Sequence, residues 1–120
     1  MQNGTIKLDL RVEPQQLTLP EREHFKISLA ATNEGDESVD PRLHRAKLFV
    51  NGKESKAWSL AISNGKREEK WSMLPPGETV SMTWSALGES LLTGPGVFTL
   101  ELQLDTMQLA PIEVQVSAVG

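Results

Sequence analysis

The chain has 120 residues, of which 38% are hydrophobic and 23% charged, and twelve basic against sixteen acidic side chains give a formal charge of -4. This length suits one domain, spanning residues 1–120, that buries roughly two-thirds of the surface its unfolded form exposes. The composition is neither that of a disordered chain nor that of a membrane protein. A net acidic balance gives phosphate backbones nothing to attract them, so nucleic acid is not an expected partner. The absence of cysteine removes disulfides, thiolate chemistry and every Cys-ligated metal site.

The chain opens without the basic start and apolar stretch of a signal peptide, and no apolar run approaches the length of a membrane span. If Met1 is the native start, the expected compartment is the cytoplasm, which the lack of cysteine mildly favours. The sequon Asn3-Gly4-Thr5 matters only in a glycosylating compartment.

The dominant periodicity is two, recurring in segments separated by turn residues. Residues 5–12 read as a first strand with Ile6, Leu8, Leu10 and Val12 on one face, closed by Pro14. After Leu19-Pro20, a second strand turns Phe25, Ile27, Leu29 and Ala31 inward and ends in the turn-rich Asn33-Glu34-Gly35-Asp36. Asp40-Pro41 resembles a cap followed by a first helical residue, so residues 41–46 are expected to form one helical turn. Residues 47–50 read as a third strand meeting the hairpin signal Asn51-Gly52. A two-residue loop would oppose Lys47 to Lys56 and turn Trp58, Leu60 and Ile62 away from Leu48 and Val50. A three-residue loop, Asn51-Gly52-Lys53, with a strand returning to Ile62 is therefore expected.

Residues 63–70 are polar and read as an exposed loop, with a short strand following at 71–74. Pro75-Pro76-Gly77 makes a tight turn into residues 79–85, where Val80, Met82 and Trp84 alternate with hydroxyl side chains. A glycine-rich loop, residues 88–96, leads to a strand at 97–104 with Phe98, Leu100, Leu102 and Leu104 inward, partnered by residues 112–116. Leu19-Pro20 and Leu74-Pro75 each precede a glutamate and an alternating strand, and each reads as a crossing between sheets. About seven to eight strands in this order match an all-β, immunoglobulin-like antiparallel β-sandwich.

Leu74-Pro75-Pro76-Gly77-Glu78, the strand ending at Trp84, and Gly94-Pro95-Gly96-Val97-Phe98-Thr99-Leu100 resemble the second half of bacterial immunoglobulin-like domains of the intracellular proteinase inhibitor family. The resemblance covers mainly residues 74–104, and its motif of proline-glycine, glutamate and strand is common to many bacterial sandwich domains. It implies the fold and makes proteinase inhibition one concrete function. Phe98 stands where such domains carry a corner tyrosine, and this chain has no tyrosine. Ring packing must replace that hydrogen bond.

Catalytic chemistry is not legible, and no cofactor or metal is expected. The two histidines, His24 and His44, read as solvated side chains, and no Gly-x-Ser-x-Gly elbow or His-x-x-x-His pair accompanies them. The acidic cluster Glu34, Asp36, Glu37 and Asp40 offers hard oxygen ligands, but its spacing matches no calcium loop and a solvated turn accounts for it. The glycine-rich loop lacks the lysine and following helix of a phosphate cradle. Among Trp58, Trp71 and Trp84, parity buries two and leaves Trp71 as the ring with a chance of exposure. The sharpest candidates for binding a partner are Lys66 and Arg67, basic side chains on the charged loop that suit an acidic proteinase pocket, together with Trp71.

The sequence thus reads as a non-catalytic module that binds a protein through loops or a strand edge. The competing readings are a spacer domain of a larger assembly and a carbohydrate-binding module. Nucleic acid, membrane and small-molecule ligands are not expected.

Overall fold

The computed structural model describes residues 6–64, 69–105 and 107–118. In chain order its strands are β1 (Ile6–Glu13), β2 (Gln16–Thr18), β3 (Lys26–Asn33), β4 (Lys47–Val50), β5 (Lys53–Glu54), β6 (Thr79–Trp84), β7 (Gly96–Leu104), β8 (Met107–Gln108) and β9 (Ile112–Ser117). Two short helices, α1 (Lys56–Asn64) and α2 (Gly88–Leu91), lie on either side of β6 in the sequence.

One sheet has the order β1-β3-β6, antiparallel throughout. The other has the order β2-β9-β7-β4-β5, with β8 also on β7 and β2 running parallel to β9. This is the expected immunoglobulin-like sandwich. Period-two alternation puts Ile27, Leu29 and Ala31 of β3 against Leu100, Leu102 and Leu104 of β7 in one continuous buried cluster. Phe98 is buried in it as well.

The crossing at Leu19-Pro20 carries the chain from β2 in one sheet to β3 in the other through a 3-10 turn, Pro20–His24. Arg22 ties this turn down, donating from Nε to the Leu19 carbonyl at 3.0 Å and from Nη1 to the Leu92 carbonyl at 2.8 Å. Glu21 accepts the Thr18 backbone N–H at 2.7 Å. That bond holds the exposed carboxyl below its usual range, aided by a second contribution from Thr18 and by the nearby His24.

Three expectations are overturned. The hairpin loop has two residues, with Val50 opposite Lys53 and Phe49 opposite Glu54. Asn51 and Gly52 both take positive φ, 52° and 85°, the backbone a two-residue turn requires. The opposition of Lys47 to Lys56 never arises, because the returning strand stops at Glu54. Residues 56–62 are helix α1 rather than strand: Ser55 Oγ accepts the Trp58 N–H at 3.1 Å, capping it, and Trp58 and Ile62 bury one helical turn apart while Leu60 is 64% exposed.

The expected strand at 71–74 is a single bridge between Val39 and Leu74, preceded by a 3-10 turn, Glu69–Trp71. The glycine-rich loop contains α2, whose Gly88 is pressed so close to the Pro20–His24 turn that a Cβ there would sit 2.0 Å from the Arg22 carbonyl oxygen. The helical turn expected at 41–46 shortens to Leu43–Arg45, entered through Arg42 at φ 56°.

Two tests follow from this packing. Gly88→Ala forces the backbone of two elements apart and is expected to cost roughly 1–3 kcal/mol in chemical denaturation. The depressed Glu21 carboxyl contributes stability that is complete above the ordinary carboxylate range and is lost as pH falls through that range toward the lowered value. Glu21→Gln is expected to flatten the acid limb of a pH–stability curve while leaving its alkaline limb unchanged.

Candidate functional site

The residues singled out for chemistry lie apart. His24 is exposed beside Glu23, 3.4 Å away, at the Pro20–His24 turn. His44 is exposed on the rim of an open groove of about 350 Å³, with Lys47, Phe49, Glu54 and Ser59 among its lining residues. Arg45 and Asp105, also in that groove, pair with each other at 3.1 Å. Lys66 and Arg67 lie outside the described residues.

Trp71 is 5% exposed, which overturns its expected availability as a contact ring. Trp58 is fully buried, donating from Nε1 to the Ala46 carbonyl at 3.0 Å, and half-buried Trp84 meets it edge to face at 4.7 Å. The tryptophans therefore belong to the core and form no flat sugar platform. Glu34, Asp36, Glu37 and Asp40 are exposed, and among the described residues no group of three or more His, Asp or Glu side chains is gathered to hold a metal.

One region with open bonding capacity among the described residues is the β6 edge, and the segment before it sets its geometry. Pro75-Pro76-Gly77-Glu78 closes a turn in which the Glu78 N–H donates to the Pro75 carbonyl at 3.2 Å, with Gly77 at φ 77°. Gly77 and Glu78 together face one residue, Asn33: the Gly77 N–H donates to the Asn33 carbonyl at 2.8 Å and the Asn33 N–H to the Glu78 carbonyl at 3.0 Å. This is a glycine bulge.

Asn33 is fully buried. Its Nδ2 donates to the carbonyls of Glu37 at 2.7 Å and Leu74 at 2.9 Å, and its Oδ1 accepts the Gly35 N–H at 2.8 Å. One side chain thus joins the end of β3, the acidic turn and the entry to β6.

Beyond the bulge, antiparallel pairs alternate between those that exchange backbone hydrogen bonds and those that do not. Asn33 being bonded, the alternation makes Ala31 with Val80, Leu29 with Met82 and Ile27 with Trp84 the bonded pairs. Thr79, Ser81 and Thr83 then aim their N–H and C=O groups away from β3, and no described strand lies on that side. Their side chains are exposed, and Thr83 and Thr79 bond Ser28 and Thr32 across the ladder at 2.8 Å each. No residue from Thr79 to Trp84 is charged or proline. Edge strands are commonly guarded by one or the other.

Alternation at residues 79–85 marks this strand in the sequence but carries no sign of its openness. The strand expected at 71–74 is one bridge in the structure.

Comparison with protein-family models gives no match for this chain, and comparison with curated proteins gives none either. Among solved structures, the fold is similar to the CARDB domain of a Pyrococcus furiosus protein solved in complex with di-metal ions. The TM-score is 0.54 at 13% identity, covering 94% of this chain and 93% of that one. It is also similar to part of a β-glucosidase from Listeria innocua, solved with gluconolactone (TM-score 0.54, 13% identity) and with glucose (TM-score 0.51, 14% identity). There the match covers 95% of this chain but 16% of the enzyme. At such identities the likeness is one of fold, an immunoglobulin-like sandwich, and it extends to no family of proteinase inhibitors.

Removing the Asn33 amide takes a donor from the part-buried Glu37 carbonyl and one of two donors from the buried Leu74 carbonyl, and leaves the Gly35 N–H without its acceptor. Asn33→Ala is expected to lower stability by about 2–4 kcal/mol. Hydrogen exchange should quicken first at Val39 and Leu74, whose backbones bond each other at 2.7 and 3.0 Å.

Proposed function

We propose that this domain is a non-catalytic protein-recognition module that takes an extended segment of a partner onto the β6 edge by strand addition. The observation that carries this reading is the row of outward backbone groups at Thr79, Ser81 and Thr83 on a strand with no charge or proline. Main-chain hydrogen bonds to such an edge supply affinity, and the alternating side chains of the incoming strand supply selectivity. The bulge at Gly77 and Glu78, locked by Asn33, fixes where the pairing begins.

A spacer or accessory role within a longer chain is the second reading. It is supported by the β-glucosidase likeness, in which this fold corresponds to 16% of a larger enzyme. Proteinase inhibition remains a specific form of the first reading, resting on Lys66 and Arg67. It predicts stoichiometric loss of activity when trypsin-like or subtilisin-like proteinases are titrated with the domain, weakened in Lys66→Ala and Arg67→Ala. Unaffected proteinase activity removes it and leaves strand addition standing.

Strand addition is tested with extended peptides selected from a displayed random library. Bound peptide is expected to slow amide exchange at Thr79, Ser81 and Thr83. Ser81→Pro deletes a donor that faces away from β3, a place where proline is tolerated, and is expected to weaken binding at least tenfold with little change in melting temperature. Peptides that bind without protecting these three amides would place recognition elsewhere on the domain.

A further inference from the structure

The opposite edge of the same sheet has a different character. On β1, the solvent-facing residues alternate in sign: Lys7, Asp9, Arg11 and Glu13. Their cross-strand neighbours on β3 are Thr32, Ala30, Ser28 and Lys26 in that order, so only Glu13 faces an opposite charge. Asp9 and Arg11 contact each other along the strand at 2.7 Å, with their side chains 48% and 80% exposed. The backbone groups of Ile6, Leu8, Leu10 and Val12 point away from β3 by the same alternation that governs β6, and no described strand pairs with them.

We propose that β1 is the contact edge for a second copy of this chain, the two β1 strands pairing antiparallel about a two-fold axis at Leu10. This site is separate from the β6 edge and does not depend on the reading of that edge. Charge complementarity favours this register: of those that keep inward side chains facing inward ones, it alone gives all four charged residues of β1 a partner of opposite sign. With Leu10 opposite Leu10, Lys7 faces Glu13 and Asp9 faces Arg11 on each half, giving four pairs of opposite sign on the outer face. On the inner face, Leu8 meets Val12 and the apolar row of the core continues across the axis.

Moving the axis to Asp9 sets Asp9 against Asp9 and Lys7 against Arg11. Moving it to Arg11 sets Arg11 against Arg11 and Asp9 against Glu13. Both are repulsive. A shift of one residue sets inward side chains against outward ones and is excluded by the two-sided pattern. Charges that usually protect an edge here reject the neighbouring registers and accept this one. Such an interface is isologous, the same patch serving both copies. The product is a six-stranded sheet, β6-β3-β1-β1-β3-β6, with both β6 edges outermost.

The test is sedimentation of the intact chain across a concentration series up to the millimolar range, at low and high salt. A monomer–dimer equilibrium that weakens at least tenfold in high salt is expected. Asp9→Arg is expected to abolish the dimer, and the double variant Asp9→Arg with Arg11→Asp to restore it, because the swap keeps opposite signs face to face. Both positions are on the solvent face, and circular dichroism melts check that the variants fold.

Register is read separately. The chain has no cysteine, so a mixture of Asp9→Cys and Arg11→Cys proteins should form a disulfide-linked heterodimer under oxidation. Either protein alone should not form a homodimer. A chain that stays monomeric throughout, a dimer indifferent to Asp9→Arg, or cross-linking of one variant with itself overturns the proposal.

Discussion

The architecture turns on the amide of Asn33. A fully buried polar side chain is costly unless its donors and acceptor are used, and here both donors and the acceptor are engaged with backbone. Those bonds connect three segments, the end of β3, the acidic turn after it and the strand entry at Leu74, and they reinforce the Val39–Leu74 bridge. Because the same residue's backbone receives the Gly77 bulge, it also sets the phase of β6. The outward direction of the Thr79, Ser81 and Thr83 backbone groups descends from that one bonded pair.

The second constraint is the replacement of strand by helix. After β5 the chain leaves the six-stranded sheet and enters α1, anchored by Trp58 through its indole N–H to Ala46 and its edge-to-face contact with Trp84. The helix packs against β4 and α2, and no described strand takes a place beside β6. The three-stranded sheet therefore has two open edges of unlike chemistry, one uncharged and one with charges of alternating sign. Fold alone does not dictate function, but this disposition of edges favours recognition through backbone pairing over recognition through a pocket.

The long strands β1, β3 and β7 are legible because period two runs through eight or nine residues of each. Ile27, Leu29 and Ala31 on β3 and Phe98 to Leu104 on β7 took the faces their spacing assigned. Residues 56–62 are ambiguous in sequence because Trp58, Leu60 and Ile62 satisfy period two while Ala57, Trp58, Ala61 and Ile62 satisfy the helical period. Over seven residues nothing in the pattern decides between them. The cap at Ser55 was the signal that could have.

Asn33 was read as a turn residue, which it is, but its burial depends on Leu74, 41 positions away, and no local pattern carries that. The short strands β2, β5 and β8 have two or three residues each and lie below any periodic signal. The openness of β6 is likewise a tertiary fact, set by the strand order of the folded sheet.

The edge-to-face pair of Trp58 and Trp84 gives the molecule an optical property of its own. Trp84 terminates β6, while Trp58, carried on α1, is fully buried, so the two indoles couple the open edge to the core across 4.7 Å. Any event that moves the end of β6 alters the environment of one ring and the orientation between both. The third indole, Trp71, is buried. The intrinsic ultraviolet emission of this chain therefore originates from rings embedded in its fold, and a displacement of the end of β6 would be written into the same light that reports its folding.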